Sequence, residues 1–147
     1  MNTQHDPDID PMVRAVLAFA GTRTSVRERR DDGLIPALHL ASLDLRGTEL
    51  VVLSACDTSI GAVQVGEGVA SLDQALLTAG ARAVVSTFWK VSDAATAAFM
   101  TRFYDALATG TPPAPALHRV KMEMATTHAP RDGAAFVVNG DGWPPAA

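Results

Sequence analysis

The chain has 147 residues, which fits one domain with a hydrophobic core of ordinary size. Its net charge of −4 offers no basic surface for nucleic acid, and its single cysteine excludes an internal disulfide. No apolar run reaches the roughly 18–20 residues of a membrane span, and the first residues lack the features of a secretory signal. The composition therefore predicts a cytoplasmic protein without membrane or nucleic-acid partners.

The first third of the chain predicts a strand and a short helix. Residues 1–11 are polar and acidic with two prolines, which indicates a loose lead-in. The short apolar run from Val13 to Ala20 favours a strand, and the mixed charges of residues 22–32 favour a solvated loop. Pro36 is predicted to begin a short helix. Its apolar content comes from four leucines: Leu38, Leu40, Leu43 and Leu45.

A second apolar run, Leu50 to Ala55, predicts the central strand of the fold. A nearly continuous apolar sequence rich in Val and Leu is typical of a strand buried on both faces, in the middle of a parallel sheet. The run ends at Cys56. Because reactive groups of open α/β sheets collect at the carboxyl ends of strands, this thiol occupies the place of a nucleophile.

A helix and another strand follow the glycine-rich sequence Gly66-Glu67-Gly68. Apolar residues recur at the spacing of one buried helix face, and Gly80 is predicted to end the helix. These residues are Val69, Leu72, Leu76 and Ala79. The run from Ala83 to Trp89 predicts the next strand. Strand, crossover helix and strand together predict a βαβ unit with parallel strands.

The last third predicts two more helices and a final strand. Ser92-Asp93 is predicted to cap the first helix, and Gly110 to end it. Its predicted buried stripe is Phe99, Met100, Phe103, Tyr104 and Leu107, and that of the second helix is Leu117, Val120 and Met124. Residues 134–138 predict a strand, with turn chemistry from Asn139 and a loose tail over 139–147. The whole pattern predicts a single α/β domain over residues 1–147.

Cys56 is the leading candidate for chemistry, although a lone cysteine is equally well explained as a small buried hydrophobe. A nucleophilic thiol needs a lowered pKa, usually from a neighbouring histidine. None of the four histidines stands in a recognisable motif; they are His5, His39, His118 and His128. Asp57 and Asp93 are candidate anionic groups at a site mouth, although capping of a helix explains Asp93 as well.

Neither a cofactor nor a metal ion is predicted. The glycines after Cys56 approximate a dinucleotide fingerprint, but they begin well past the strand, and no acidic residue closes the next strand. No phosphate-binding loop with a Gly-Lys-Ser or Gly-Lys-Thr sequence occurs. One cysteine and four scattered histidines show no metal-ligand spacing.

Several sequence blocks follow one another from Asp10 to Val138. They include Leu53-Ser54-Ala55-Cys56-Asp57-Thr58, Gly66-Glu67-Gly68, Ala79-Gly80-Ala81 and Trp89-Lys90-Val91-Ser92-Asp93. Together these blocks resemble the CHAT family of caspase-like domains, which are often joined to TPR repeats in bacteria, and the resemblance covers nearly the whole chain.

This resemblance implies a caspase-like, mostly parallel sheet flanked by helices, and cysteine peptidase activity on a peptide or protein substrate. By it, Cys56 matches the nucleophile, and its backbone N–H would help to form the oxyanion hole. Asp57 matches an acidic position beside the nucleophile. The segment from Trp89 to Asp93 would border the substrate cleft.

The chain departs from the family at the catalytic base. The family's dyad histidine stands in a His-Gly pair, and no histidine of this chain precedes a glycine. His5 is the only histidine in the expected order, but Asp6 follows it. We therefore expect a partial CHAT domain that lacks the N-terminal strands. The base would come from His5, from an upstream TPR-type segment or from a partner chain; alternatively, the chain is an inactive remnant that acts as a protein-interaction module.

Overall fold

A computed structural model describes residue 12 and residues 15–19, 33–53 and 65–141, of which 65–68 are described as helical backbone only. These residues form five strands and five helical segments, and the two types alternate along only part of the chain. The elements are β1 (Val16–Ala18), β2 (Leu34–Pro36), α1 (Ala37–Leu40), β3 (Val51–Val52), α2 (Val65–Thr78), β4 (Ala83–Thr87), α3 (Asp93–Ala108), α4 (Pro113–Met124), α5 (Pro130–Ala134) and β5 (Phe136–Gly140).

The strands form two small sheets. β1 pairs antiparallel with β2, and a three-stranded sheet has the order β3-β4-β5. In this second sheet β3 is parallel to β4, as the predicted βαβ unit requires, but β5 is antiparallel to β4. The α/β class is therefore confirmed, whereas the prediction of a mostly parallel sheet is wrong for the described residues.

The direction of β5 follows from the end of β4 at which the chain re-enters the sheet. Two long helices, α3 and α4, separate β4 from β5, and the chain returns to the end of β4 that it left. Phe136 accordingly lies opposite Thr87, and the Phe88 N–H donates to the Ala135 carbonyl at 3.0 Å. A strand that starts at the carboxyl end of its neighbour runs antiparallel to it.

The middle strand of the described sheet is β4 rather than the Leu50–Ala55 run. All five residues of β4 are buried, and both of its edges pair with other strands. By contrast, β3 contains two half-buried residues and pairs with β4. The prediction of a central, fully buried strand is therefore wrong for residues 50–53, and Ser54 and Ala55 lie outside the described residues.

Each face of β4 packs against a different helical layer. Val85 joins a cluster with Phe99 and Phe103 of α3 and with Phe136 of β5. The rings of Phe99 and Phe136 stack with their centroids 3.8 Å apart. On the other face, Val84 packs with Leu76 of α2. Helices on both faces thus enclose the strand, as in other α/β domains.

Most helix faces predicted from the sequence are confirmed. Val69, Leu72, Leu76 and Ala79 are buried, as are Leu117, Val120 and Met124 of α4. In α3 the prediction is correct for Phe99 and Phe103 but wrong for Tyr104, which is 50% exposed. A phenol can stay at the surface because its hydroxyl group remains hydrated there.

The predicted helix ends at Gly80 and Gly110 are also confirmed. Gly80 has a φ of 108°, and its N–H donates to the Leu77 carbonyl while Ala81 donates to Leu76. Gly110 has a φ of 82° in an equivalent position. This left-handed conformation lets the chain satisfy the last helical carbonyls, and glycine adopts it without steric strain.

Short elements account for the remaining differences. β2 was not predicted, and Pro36 ends β2 and precedes α1 rather than beginning the helix. Leu38 is 58% exposed and Leu43 is exposed as well, so these leucines contribute little to the core. Val13 to Ala20 does contain a strand, β1, over the shorter range Val16–Ala18.

The C-terminal prediction is corrected in two respects. Ala134 ends the unpredicted helix α5, so the last strand starts at Phe136. Asn139 and Gly140 extend that strand instead of forming a turn, because they pair with Val84 and Ala83 of β4. The lead-in 1–11, the charged stretch 22–32 and residues 142–147 of the tail lie outside the described residues. In the described part, no helix has the length and apolar character to cross a membrane.

Replacing Gly140 with alanine tests how closely β5 approaches the α2–β4 turn. The φ of Gly140 is +93°, and a Cβ atom there would lie 2.6 Å from both the Arg82 carbonyl oxygen and Leu77 Cδ2. We expect Gly140→Ala to lose about 1–2 kcal/mol from the left-handed backbone and a further ~1–3 kcal/mol from overpacking, measured by urea unfolding.

Gly110→Ala is the matched control for this substitution. Gly110 also has a positive φ, but a Cβ atom there meets nothing within 4 Å. The Gly110→Ala variant should therefore lose only the stability that an alanine in the left-handed backbone conformation costs. Equal losses of stability in the two variants would contradict the close approach at Gly140.

Candidate functional site

The described part of the candidate site is the edge of the sheet at which β3 and β4 end. Because these strands are parallel, their carboxyl ends lie at the same edge. The Leu53 N–H donates to the Val85 carbonyl at 2.7 Å, so pairing extends one residue past β3. In the sequence, Cys56 follows Leu53 by three residues. Cys56, Asp57 and His5 lie outside the described residues, and their roles stay predictions.

Trp89 follows the end of β4, and α5 anchors its side chain. Its indole Nε1 donates to the Arg131 carbonyl oxygen of α5 at 3.1 Å, while 40% of the residue is exposed. The neighbouring Phe88 N–H donates to Ala135, just after the same helix. α5 therefore fixes both the backbone and the ring of this segment. The ring is left partly accessible, as a substrate-contacting aromatic residue would need.

Sequence reasoning missed α5 as a part of the site. The signal that was present is Pro130, because proline is favoured in the first turn of a helix. The helix spans only Pro130–Ala134, too short for a hydrophobic periodicity to appear. Its contact with Trp89 joins residues 42 positions apart, which local patterns do not reveal.

Asp93 begins α3, and its neighbour Ser92 is the N-cap. The Ser92 Oγ accepts a hydrogen bond from the Ala95 N–H at 3.2 Å, which confirms the predicted cap. Asp93 is exposed in the first turn, where a carboxylate favourably opposes the positive end of the helix dipole. Its side chain is therefore available at the surface, within four residues of Trp89.

A buried polar cluster between α2 and the sheet was not predicted. Asp73 of α2 is 2% exposed, and its Oδ2 accepts hydrogen bonds from Ser86 Oγ and Asn139 Nδ2, each at 2.7 Å. We call these three residues the Asp73 cluster. Burial raises the pKa of Asp73, and the two hydrogen bonds partly oppose this change. The sequence signal was a carboxylate directly after Leu72, inside a helix with a buried stripe.

The described histidines lie on other elements. His39 of α1 and His118 of α4 are exposed, and His128 is half-buried, with its Nδ1 2.9 Å from Thr127 Oγ1. Within the residues that the structure describes, no three His, Cys, Asp or Glu side chains come together in a way that could hold a metal ion.

Comparison with known families identifies the class of domain. The family model of the CHAT domain matches residues 9–141, which is most of the chain. The chain therefore belongs to the CHAT domain family. Among curated proteins, none gives a significant match to this chain.

Replacing Trp89 with phenylalanine tests the contact that holds its ring against α5. The variant keeps an aromatic ring but loses the indole N–H that donates to Arg131. We expect a loss of about 0.5–1.5 kcal/mol in the free energy of unfolding, the usual net contribution of one hydrogen bond. As a control, Tyr104→Phe alters an exposed aromatic residue of α3 and should change stability by less than ~0.5 kcal/mol. Equal effects of the two substitutions would contradict a specific anchoring role.

Proposed function

We propose that this chain is a caspase-like cysteine peptidase domain of the CHAT type, with Cys56 as its nucleophile. The observation that carries the proposal is the family match over residues 9–141, which includes Cys56 and the sequence block around it. The parallel pair of β3 and β4 supports it, because Cys56 follows the carboxyl end of β3 in the sequence.

The reaction needs a thiolate and an acceptor for the charge that develops on the substrate. The base takes the proton of the Cys56 thiol, the Sγ attacks the scissile carbonyl carbon, and the carbonyl oxygen becomes an oxyanion near the Cys56 backbone N–H. The C–N bond then breaks as the base returns its proton to the leaving amine, and a thioester remains on Cys56. Water hydrolyses this thioester to release the carboxylic acid and the free thiol. We assign the base to His5, or to a histidine supplied by another segment or a partner chain.

The substrate would lie along the segment from Trp89 to Asp93. The exposed part of the Trp89 ring offers an apolar surface, and its bond to the Arg131 carbonyl keeps that surface in one orientation. Asp93, together with Asp57, supplies negative charge at the mouth of the site. A peptide with a basic side chain near the cleaved bond fits this arrangement better than an acidic one.

The second candidate function is a catalytically inactive CHAT domain that binds a protein partner. The observation in its favour is that none of the four histidines precedes a glycine, as the family's dyad histidine does. Loss of a general base typically costs ~10²–10⁴-fold in rate. In a dyad the same residue also produces the thiolate, so the loss would also remove the nucleophile.

Labelling with a peptidyl acyloxymethyl ketone distinguishes the two functions. We would compare probes that carry arginine or aspartate beside the reactive group, and read the product by intact-mass spectrometry. A peptidase should react once per folded chain, faster with the arginine probe, and His5→Ala should slow the reaction by ~100-fold or more if His5 is the base. Cys56→Ala should not react, since Cys56 is the only cysteine.

The matched control is the same chain unfolded in urea, in which Cys56 is an ordinary thiol. Equal rates in the folded and unfolded chains, with both probes, would show that the fold does not activate Cys56. That outcome would rule out His5 as the base and an active peptidase within these 147 residues, and it would favour the interaction module.

A further inference from the structure

We infer that the Asp73 cluster forms a pH-sensitive joint between α2 and the sheet. This joint is most stable when the Asp73 carboxyl group is neutral, and it is weakened when the group ionises. The joint connects three elements that are distant in sequence. Ser86 of β4 and Asn139 of β5 lie 13 and 66 positions from Asp73, and both donate to the same oxygen, Oδ2. Together these two bonds tie one helix to two neighbouring strands.

The hydrogen bonds around Asp73 suit a neutral carboxyl group better than a carboxylate. Oδ2 accepts two hydrogen bonds, whereas Oδ1 is buried and has no hydrogen-bond partner in the described part of the chain. In a carboxylate both oxygens carry charge, and Oδ1 would hold its share without a donor. In the neutral acid, Oδ2 is the carbonyl oxygen and accepts both bonds, while the proton resides on Oδ1. An unpaired buried hydroxyl is costly, but less so than an unpaired buried charge.

No charged side chain on the neighbouring described elements compensates an ionised Asp73. β1, β4 and β5 contain no titratable residue, and the one titratable residue of α1, His39, is exposed. Arg82, just before β4, extends instead toward two acids at the surface, with 3.5 Å between its Nη1 and Glu49 Oε2 and 3.9 Å between its Nε and Asp141 Oδ2.

The sign of the pH dependence follows from the direction of the pKa shift. Burial raises the pKa of Asp73 in the folded chain above that of an unfolded aspartate. The folded state therefore keeps this proton to a higher pH than the unfolded state does. The contribution of Asp73 to stability is greatest below the unfolded pKa, falls as the pH rises through the folded pKa, and is constant above it.

This joint bears on the candidate nucleophile because of the order of the chain. The segment that connects β3 to α2 contains Cys56, so the attachment of α2 to the sheet fixes the C-terminal end of that segment. An ionised Asp73 would therefore loosen the support of the nucleophile from the side of α2. This consequence rests on the proposed function, whereas the joint itself does not.

Urea unfolding of the wild type and Asp73→Asn over a series of pH values tests the joint. The asparagine keeps an oxygen that accepts from both Ser86 and Asn139, but it does not ionise. We expect the variant to gain stability relative to the wild type as the pH rises, by up to about tenfold in the unfolding equilibrium constant per pH unit, until Asp73 is fully ionised. Asp105→Asn, at an exposed position of α3, is the control and should show no such trend. The inference would be overturned if the ratio of the wild-type unfolding equilibrium constant to that of Asp73→Asn stayed constant with pH or fell as the pH rose.

A measurement on the wild-type chain decides the question if Asp73→Asn does not fold. The carboxyl carbon of Asp73, assigned through its backbone in a ¹³C-labelled sample, can be titrated by NMR. We expect a midpoint above the ~3.9 of an unperturbed aspartate, with faster amide exchange at Leu72 and Leu76 above that midpoint, once the intrinsic pH dependence of exchange is subtracted. A midpoint at or below the ordinary range would overturn the inference, as would protection of α2 that does not change through the titration.

Discussion

The burial of β4 on both faces is the constraint on which the rest of the described structure depends. A strand without solvent contact needs backbone partners on both edges and an apolar layer on each face. β3 and β5 supply the partners, while α2 covers one face and α3 with α4 covers the other. Once β4 is fixed, the carboxyl end of β3 and the position of Trp89 are fixed with it. The candidate site is thus built on the most enclosed part of the described sheet.

The two helical layers that cover β4 differ in character. The layer of α3 and α4 is aromatic and apolar, with Phe99 stacked on Phe136 of the sheet. The layer of α2 contains the buried carboxyl group of Asp73, which holds two strands through a single oxygen atom. An apolar layer is insensitive to pH, whereas a buried carboxyl group is not. On the inferred role of Asp73, its ionisation is one route by which pH acts on the attachment of α2 to the sheet.

The sequence predicts elements whose signals are local and misses those that depend on distant partners. The buried stripe of α2, the glycine at its end and the cap at Ser92 follow from spacing and residue type within one or two turns. α5 and the Trp89–Arg131 bond were missed because a five-residue helix has no periodicity. The direction of β5 depends on how two preceding helices pack. For the site, the sequence and its family resemblance indicate Cys56, but nothing local indicates that Asp73 is buried.

The rate of alkylation of Cys56 by iodoacetamide as a function of pH tests the central claim of an activated nucleophile most directly. Because Cys56 is the only cysteine, the rate reports on one thiol. The account predicts that the alkylation rate of the folded chain rises with a midpoint well below pH ~8.5, the pKa of an ordinary cysteine, and that this midpoint returns to ~8.5 in urea. A folded-state transition at or above ~8.5 would contradict the claim, because the chain would then contain no group that activates Cys56.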